Sequence, residues 1–299
     1  MSRLFEALQR SEAERTGTES IVPAESVADL LRSSECESAQ GAEKELDTSD
    51  LFAAAGVLHP SPGANSRLVC LSDQGGLGAE KFRLLGLRLR HMKEKTKLRR
   101  IVVTSTIPEE GKSVIAANLA INQARSKVLK TILIDGDLRR PTQAKYFGFS
   151  RGLPGLSECL RGERCLTDVA YRLGDSGLYF LPAGVTPQNP IELMQSGRLA
   201  EVLEQLNGFF DWVIIDTPPI FPLADTPLWM KLADGVLLVT REGVSEKKML
   251  RRAANTIESS NLLGIVVNSY SGSEHEYYYS RYAPNTVDLG AINPPATES

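Results

Sequence analysis

The chain of 299 residues has little of what marks a metal-clustered, disulfide-stapled or membrane-spanning protein. Its four cysteines (Cys36, Cys70, Cys159, Cys165) form no CxxC pair, and its three histidines (His59, His91, His275) are scattered. That spacing supports neither a zinc site nor a disulfide framework, and suits reduced thiols in a cytoplasmic protein. No apolar run approaches the ~18 residues of a membrane span, and the opening Met-Ser-Arg-Leu-Phe-Glu lacks a signal-peptide core, so the cytoplasm is the expected location. Aromatic residues make up only 6% of the chain, and the most basic stretch, residues 88–100 with seven Lys/Arg and one Glu, has none interleaved. Base stacking has no platform there, so nucleic acid is not an expected partner and the run reads as a solvated helix face.

Charge is unevenly spread. Residues 1–60 hold 12 Asp/Glu against 5 Lys/Arg, a net of −7, which leaves +4 for residues 61–299. The acidic, Ser/Glu/Ala-rich composition of residues 1–75 predicts a mostly disordered extension and linker, with one short amphipathic stretch at residues 4–8. From about residue 76 a folded domain is expected to run to 268. Apolar residues at 82, 85 and 89 predict a first helix. Strands are then predicted near 101–104, 131–135, 178–181, 212–216, 235–240 and 263–268, with helices near 112–125, 190–207 and 246–260. Strands alternating with helices imply an α/β fold, a mostly parallel sheet flanked by helices. Residues 269–299 are expected to form a flexible tail, and hold five of the eight tyrosines: Tyr270, Tyr277, Tyr278, Tyr279 and Tyr282.

Three of these strands end on chemistry. Ile-Val-Val-Thr at 101–104 leads into Ser-Thr-Ile-Pro-Glu-Glu-Gly-Lys-Ser at 105–113. Thr-Ile-Leu-Ile at 131–134 leads into Asp135-Gly136-Asp137. Trp-Val-Ile-Ile at 212–215 leads into Asp216. Ligands on parallel sheets sit beyond the carboxyl ends of the strands, so one crevice would receive a lysine, a hydroxyl and three carboxylates. Gly111-Lys112-Ser113 at a helix start is a phosphate loop in which Lys112 reaches the β- and γ-phosphates and the Ser113 hydroxyl meets Mg²⁺. The generic loop pattern is incomplete, since Thr106 stands at the first glycine. Two carboxylates as close as Asp135 and Asp137 repel unless a cation or proton intervenes. Asp216 is placed as the acid that organises Mg²⁺. The expected ligands are ATP and Mg²⁺.

These stretches resemble the motifs of the bacterial tyrosine kinases, P-loop proteins unrelated to eukaryotic protein kinases. The resemblance covers residues 105–113, 132–139 and 213–216. It extends to Leu-Pro-Ala-Gly at 181–184, Pro-Gln-Asn-Pro-Ile-Glu-Leu at 187–193, Asp216-Thr217-Pro218-Pro219 with Asp225, Gly-Ile-Val-Val-Asn at 264–268, and the tyrosine-rich tail. It implies a P-loop NTPase-type fold and an ATP-dependent protein-tyrosine autokinase regulating exopolysaccharide or capsule biosynthesis or export. Thr106, Pro108, Glu109, Glu110, Gly111, Lys112, Ser113 and Val114 would surround the nucleotide, with Arg139 beside it and Asn268 near the adenine. Asp135 would be the leading candidate to take the tyrosine proton, with Asp137 and Asp216 organising metal and waters. Tyr277, Tyr278, Tyr279 and Tyr282 would be the acceptors, modified in trans within a ring of subunits. The implied partners are a separate membrane-spanning polysaccharide co-polymerase that recruits the protein to the inner membrane face, and a phosphotyrosine phosphatase.

The chain departs from the family at two places. Glu109 replaces a loop glycine, at a cost of about 1 kcal/mol if φ is positive there, and its side chain is expected to point outward. The family's ring-forming helix carries Glu, Arg and Arg three residues apart; Glu80 and Arg83 fit, but Gly86 takes the third place. Two alternatives share the fold class. A deviant-Walker switch ATPase would carry an extra lysine early in the loop, and none lies between Thr104 and Gly111. A non-catalytic nucleotide-binding regulator would leave the tail as an interaction segment.

Overall fold

Eight strands form one sheet in the order β1-β4-β5-β3-β6-β2-β7-β8. The computed structural model describes residues 52–269, apart from 53, 64–65, 127–128, 150–151, 222 and 258–260. In chain order the elements are β1 (Val57–Leu58), α1 (Val69–Ser72), α2 (Leu77–Lys95), β2 (Arg100–Ser105), α3 (Lys112–Ala124), β3 (Thr131–Asp135), α4 (Gln143–Tyr146), α5 (Leu156–Arg161) and α6 (Leu166–Val169). There follow β4 (Tyr171–Leu173), β5 (Leu178–Leu181), α7 (Pro190–Met194), α8 (Arg198–Phe209), β6 (Trp212–Asp216), α9 (Asp225–Leu232), β7 (Gly235–Arg241), α10 (Lys247–Thr256) and β8 (Leu262–Asn268). All pairings are parallel except β4 with β5.

The central strands are buried on both faces, as a parallel sheet covered by helices requires. Alternate side chains enter different cores. Val102, Ile132, Ile134, Val213 and Ile215 join Leu203, Leu206 and Trp229 on one face. Ile101, Val103, Leu133 and Ile214 join Leu89 and the alanines of α3 on the other. In α8, Leu199, Val202, Leu203 and Leu206 recur at helical spacing and are buried, which stabilises it by roughly 6–12 kcal/mol before the entropy of ordering is subtracted.

The folded part starts earlier than residue 76. Phe52 is buried with its ring 5.0 Å from Phe209 and 5.2 Å from Phe210, and β1 pairs with β4. Leu68 and Cys70 are buried, and Asn118 of α3 ties this stretch down, accepting from the Cys70 N–H (2.9 Å) and donating to the Arg67 carbonyl (2.9 Å). A two-residue strand carries no periodicity, so this segment reads as linker. Residues 1–51 lie outside the described residues, as does the tail after residue 269. The single helix expected over 190–207 is two, broken where Gly197 takes a φ of 81°. On α2, Glu80 and Arg83 pair with each other, while Gly86 is buried against α3, where a Cβ would lie 2.3 Å from Asn122 Nδ2. A side chain in the family's third arginine position would displace the Asn122 amide in this packing.

Candidate functional site

β2, β3 and β6 end side by side at one lip of the sheet, and Asp135 and Asp216 are register partners in adjacent strands. Between β2 and α3 the chain makes a loop in which Glu109 and Gly111 have φ of 67° and 93°. At Gly111 a side chain is excluded sterically as well, since a Cβ would meet Asn268 Nδ2 at 2.1 Å. Glu110 braces the loop from inside. Its buried carboxylate accepts from the Thr106 N–H (2.7 Å), the Thr106 hydroxyl (2.7 Å), the Ile107 N–H (3.0 Å), the Arg241 N–H (3.4 Å) and the Ser245 hydroxyl. Asn268, at the end of β8, donates Nδ2 to the Glu110 carbonyl (2.9 Å).

Lys112 opens α3 and turns into the carboxylates. Its Nζ lies 3.3 Å from Asp137 Oδ2, 3.5 Å from Asp216 Oδ1 and 3.1 Å from Ser113 Oγ. Burial disfavours the ammonium, but the charges of Asp216, Asp137 and Asp135 outweigh it and raise the Lys112 pKa. Asp135 Oδ2 accepts from the Thr142 (3.0 Å) and Gln143 (2.9 Å) amides at the start of α4. Its Oδ1 is buried with no hydrogen-bond partner among the described residues. Burial first, then the charge of Asp216, pushes the Asp135 pKa up to about 8. Burial likewise raises Asp216, against the opposing charge of Lys112. Gln143 locks the geometry, donating Nε2 to the Ser113 carbonyl (2.9 Å) and to Asp216 Oδ2 (2.8 Å).

Over these groups opens a cavity of about 790 Å³ whose wall includes Lys112, Ser113, Asp137, Arg140 and Arg241. Arg67 reaches the same cavity from the segment before α2. Arg139 also faces it, held by a bidentate pair to buried Asp225 (2.7 and 3.0 Å). The volume, the loop at a helix N-terminus and the cationic wall suit a polyphosphate. The donors suit Mg²⁺: all are hard oxygens, and among the described residues Asp135 Oδ1 and Asp216 Oδ1 have no hydrogen-bond partner, Asp216 Oδ1 facing the Lys112 ammonium. Among the described residues no three acidic, His or Cys side chains form a cage that could hold a metal. Mg²⁺ needs none, because it keeps waters and shares one or two protein oxygens with phosphates.

No family model matches the chain. Tyrosine-protein kinase YwqD of Bacillus subtilis is 32% identical over 213 residues, which are 71% of this chain and 89% of that protein. The chain belongs to the bacterial tyrosine kinase family. Tyrosine-protein kinase CpsD of Streptococcus pneumoniae is 34% identical over 60% of this chain and 80% of its own length. EpsB of Ralstonia nicotianae is a longer relative, 34% identical over 67% of this chain but 27% of that protein. Among solved structures, the chimeric protein CapA2B2 superposes with a TM-score of 0.65 at 31% identity, over 77% of this chain and 100% of that one. The kinase domain of Escherichia coli ETK gives 0.63 at 29% identity, over 69% and 82%. The septum site-determining protein MinD of Pyrococcus horikoshii, complexed with Mg-ADP, gives 0.50 at 25% identity, over 59% and 72%. The mostly parallel P-loop fold is common to all three.

In this kinase-family chain, the residues nominated from sequence divide into four groups. Lys112, Ser113, Asp135, Asp137 and Asp216 converge. Pro108, Glu109, Gly111, Val114 and Arg139 line the cavity, with Glu109 exposed. Thr106 and Glu110 are fully buried and bond to each other and to Ser245, so they shape the loop instead of facing a nucleotide. The Asn268 amide is likewise engaged by the loop. Tyr277, Tyr278, Tyr279 and Tyr282 lie outside the described residues. Sequence reasoning missed Gln143, which no spacing rule singles out, and Arg67, which falls in the segment read as linker.

Proposed function

We propose that the protein is an ATP-dependent protein-tyrosine kinase that modifies Tyr277, Tyr278, Tyr279 and Tyr282 on a second copy of the chain and thereby regulates exopolysaccharide or capsule biosynthesis or export. The observation that carries this reading is the convergence of Lys112 with three strand-end carboxylates beneath a cavity walled by arginines. The loop amides and Lys112 bind the triphosphate. Ser113, Asp137 and Asp216 would hold a Mg²⁺, which when bound would neutralise phosphate charge. The tyrosine oxygen bonds to the γ-phosphorus as the bond to the β–γ bridging oxygen breaks, and ADP leaves with that electron pair. The phenolic proton passes to Asp135 in its ionised form, whose Oδ1 is unspent among the described residues.

The ring of subunits, the membrane-spanning activator and the opposing phosphatase belong to the same reading. Their support is the resemblance, with the likeness to chimeric CapA2B2 adding to the case for a protein partner. The test is incubation of the purified chain with Mg-ATP, followed by intact mass and phosphotyrosine mapping. Wild type gains several phosphates on the tail; Lys112→Met and the fourfold Tyr→Phe variant gain none. ATP turnover without protein phosphorylation would instead indicate a switch ATPase.

A further inference from the structure

Beside the nucleotide cavity lies a second depression of about 460 Å³, lined by Ile220, Phe221, Leu223, Ala224, Met249 and Arg252. The two are continuous, since Phe221 and Leu223 line both. The β6–α9 loop that forms the groove floor is pinned to the phosphate loop: the Ile220 N–H donates to the Ser105 carbonyl (2.8 Å) and the Phe221 N–H to that of Thr106 (3.4 Å). Its far wall is α10, the most strongly amphipathic helix among the described residues. Ala253 faces inward, while Lys247, Lys248, Arg251 and Arg252 are exposed, and the Arg252 guanidinium sits 4.8 Å over the Phe221 ring. Glu246 stands at the N-cap of α10, and Glu242 precedes it in the chain. An apolar slot with an aromatic wall and a cationic rim, opening into a phosphoryl-transfer site, fits a peptide that carries aromatic rings and acidic residues together.

This chain contains such a peptide. Residues 274–282 read Glu-His-Glu-Tyr-Tyr-Tyr-Ser-Arg-Tyr. The described chain ends at Ser269, one residue after the Asn268 that bonds to the phosphate loop. From there the tyrosines at 277–282 lie eight to thirteen residues on, about 26–43 Å of extended chain. We propose that the groove between the β6–α9 loop and α10 is the acceptor-docking subsite. It takes residues 274–282 of a second copy, with Glu274 and Glu276 against the α10 cations and one tyrosine ring in the groove while a neighbouring tyrosine is phosphorylated. The proposal rests on the kinase reading above and adds to it the residues that select the acceptor.

The test uses full chains in two roles. The enzyme copy carries Tyr277→Phe, Tyr278→Phe, Tyr279→Phe and Tyr282→Phe; the acceptor copy carries Lys112→Met. Lys248→Glu with Arg252→Glu in the enzyme raises KM for the acceptor about tenfold, with kcat and ATP affinity within about twofold, because the rim turns from attractive to repulsive. Arg252→Gln, a milder change, gives a smaller rise in the same direction. Glu274→Lys with Glu276→Lys in the acceptor restores KM for the reversed enzyme. An unchanged KM in both enzyme variants overturns the proposal. Binding is also read without turnover, as anisotropy of a fluorescein-labelled 270–282 peptide on the Lys112→Met chain. Loss of peptide binding on charge reversal supports the groove even if no phosphate is transferred, so the two readings fail separately. Release from phosphatidylserine vesicles on reversal, with KM unchanged, would assign α10 to a lipid surface and overturn the proposal.

Discussion

Truncating Glu110 to alanine tests whether the loop is held from within. The Glu110 carboxylate accepts two hydrogen bonds from Thr106, one from Ile107, one from Arg241 and one from Ser245, and it is buried. Alanine leaves at least the Thr106 and Ile107 N–H groups without an acceptor. Each unsatisfied donor costs about 1–3 kcal/mol, and the bonds lost were to a charged group, so the total is on the order of 3–5 kcal/mol. At about 2–4 °C per kcal/mol for a folded unit of this size, Tm should fall by roughly 6–20 °C. Glu110→Gln keeps one acceptor oxygen and should lose about half as much. ATP affinity measured by calorimetry should fall about tenfold for the alanine variant, because the amides that face the phosphates are no longer preorganised. Thermal melts with and without Mg-ATP provide the assay. A variant with unchanged melting but weakened ATP binding would show Glu110 to be a nucleotide contact, and the internal brace would be wrong.

Three further outcomes follow from the same geometry. Burial raises the Asp135 pKa from the usual carboxylate 3.8 to about 8, so its protonated form stabilises the fold below pH 4 and that contribution is lost as pH rises through 8. The slope is no steeper than about 1.4 kcal/mol per pH unit, and Asp135→Asn should flatten the fall in Tm between pH 5.5 and 8; identical slopes would refute the assignment. Glu109→Gly relieves a positive φ and removes a carboxylate from the cavity wall, so stability should rise by up to about 1 kcal/mol and ATP should bind more tightly. A lower Tm would show that the Glu109 side chain makes a contact worth more than the strain. Gln143→Leu removes the amide that joins Ser113 to Asp216, and phosphorylation of the tail should slow at least tenfold with little change in ATP affinity. An unaltered rate would exclude a positioning role.

β2, β3 and β6 were legible from the sequence because strands buried on both faces must be near-continuous apolar runs, and each ended on a residue with chemistry. β1 and β4 were not, since two or three residues at a sheet edge leave no pattern. The broken helix at Gly197 and the packed segment around Phe52 were misread because composition outweighed contacts that form only in the fold.

The sequence by itself determined the layered α/β plan, the placement of Lys112 at a helix start and of Asp135, Asp137 and Asp216 at strand ends, and the concentration of tyrosines in residues 270–282. These are properties of neighbouring residues: local periodicity sets the elements, and parallel strands present their carboxyl ends to one crevice. Only the tertiary structure decided what Glu110, Gln143, Asn268 and Arg67 do. Glu110 meets Ser245 across 135 residues, Asn268 meets Glu110 across 158, and Gln143 meets Asp216 across 73. Hydrogen bonds of that span depend on how strands order themselves in the sheet, which no local pattern encodes.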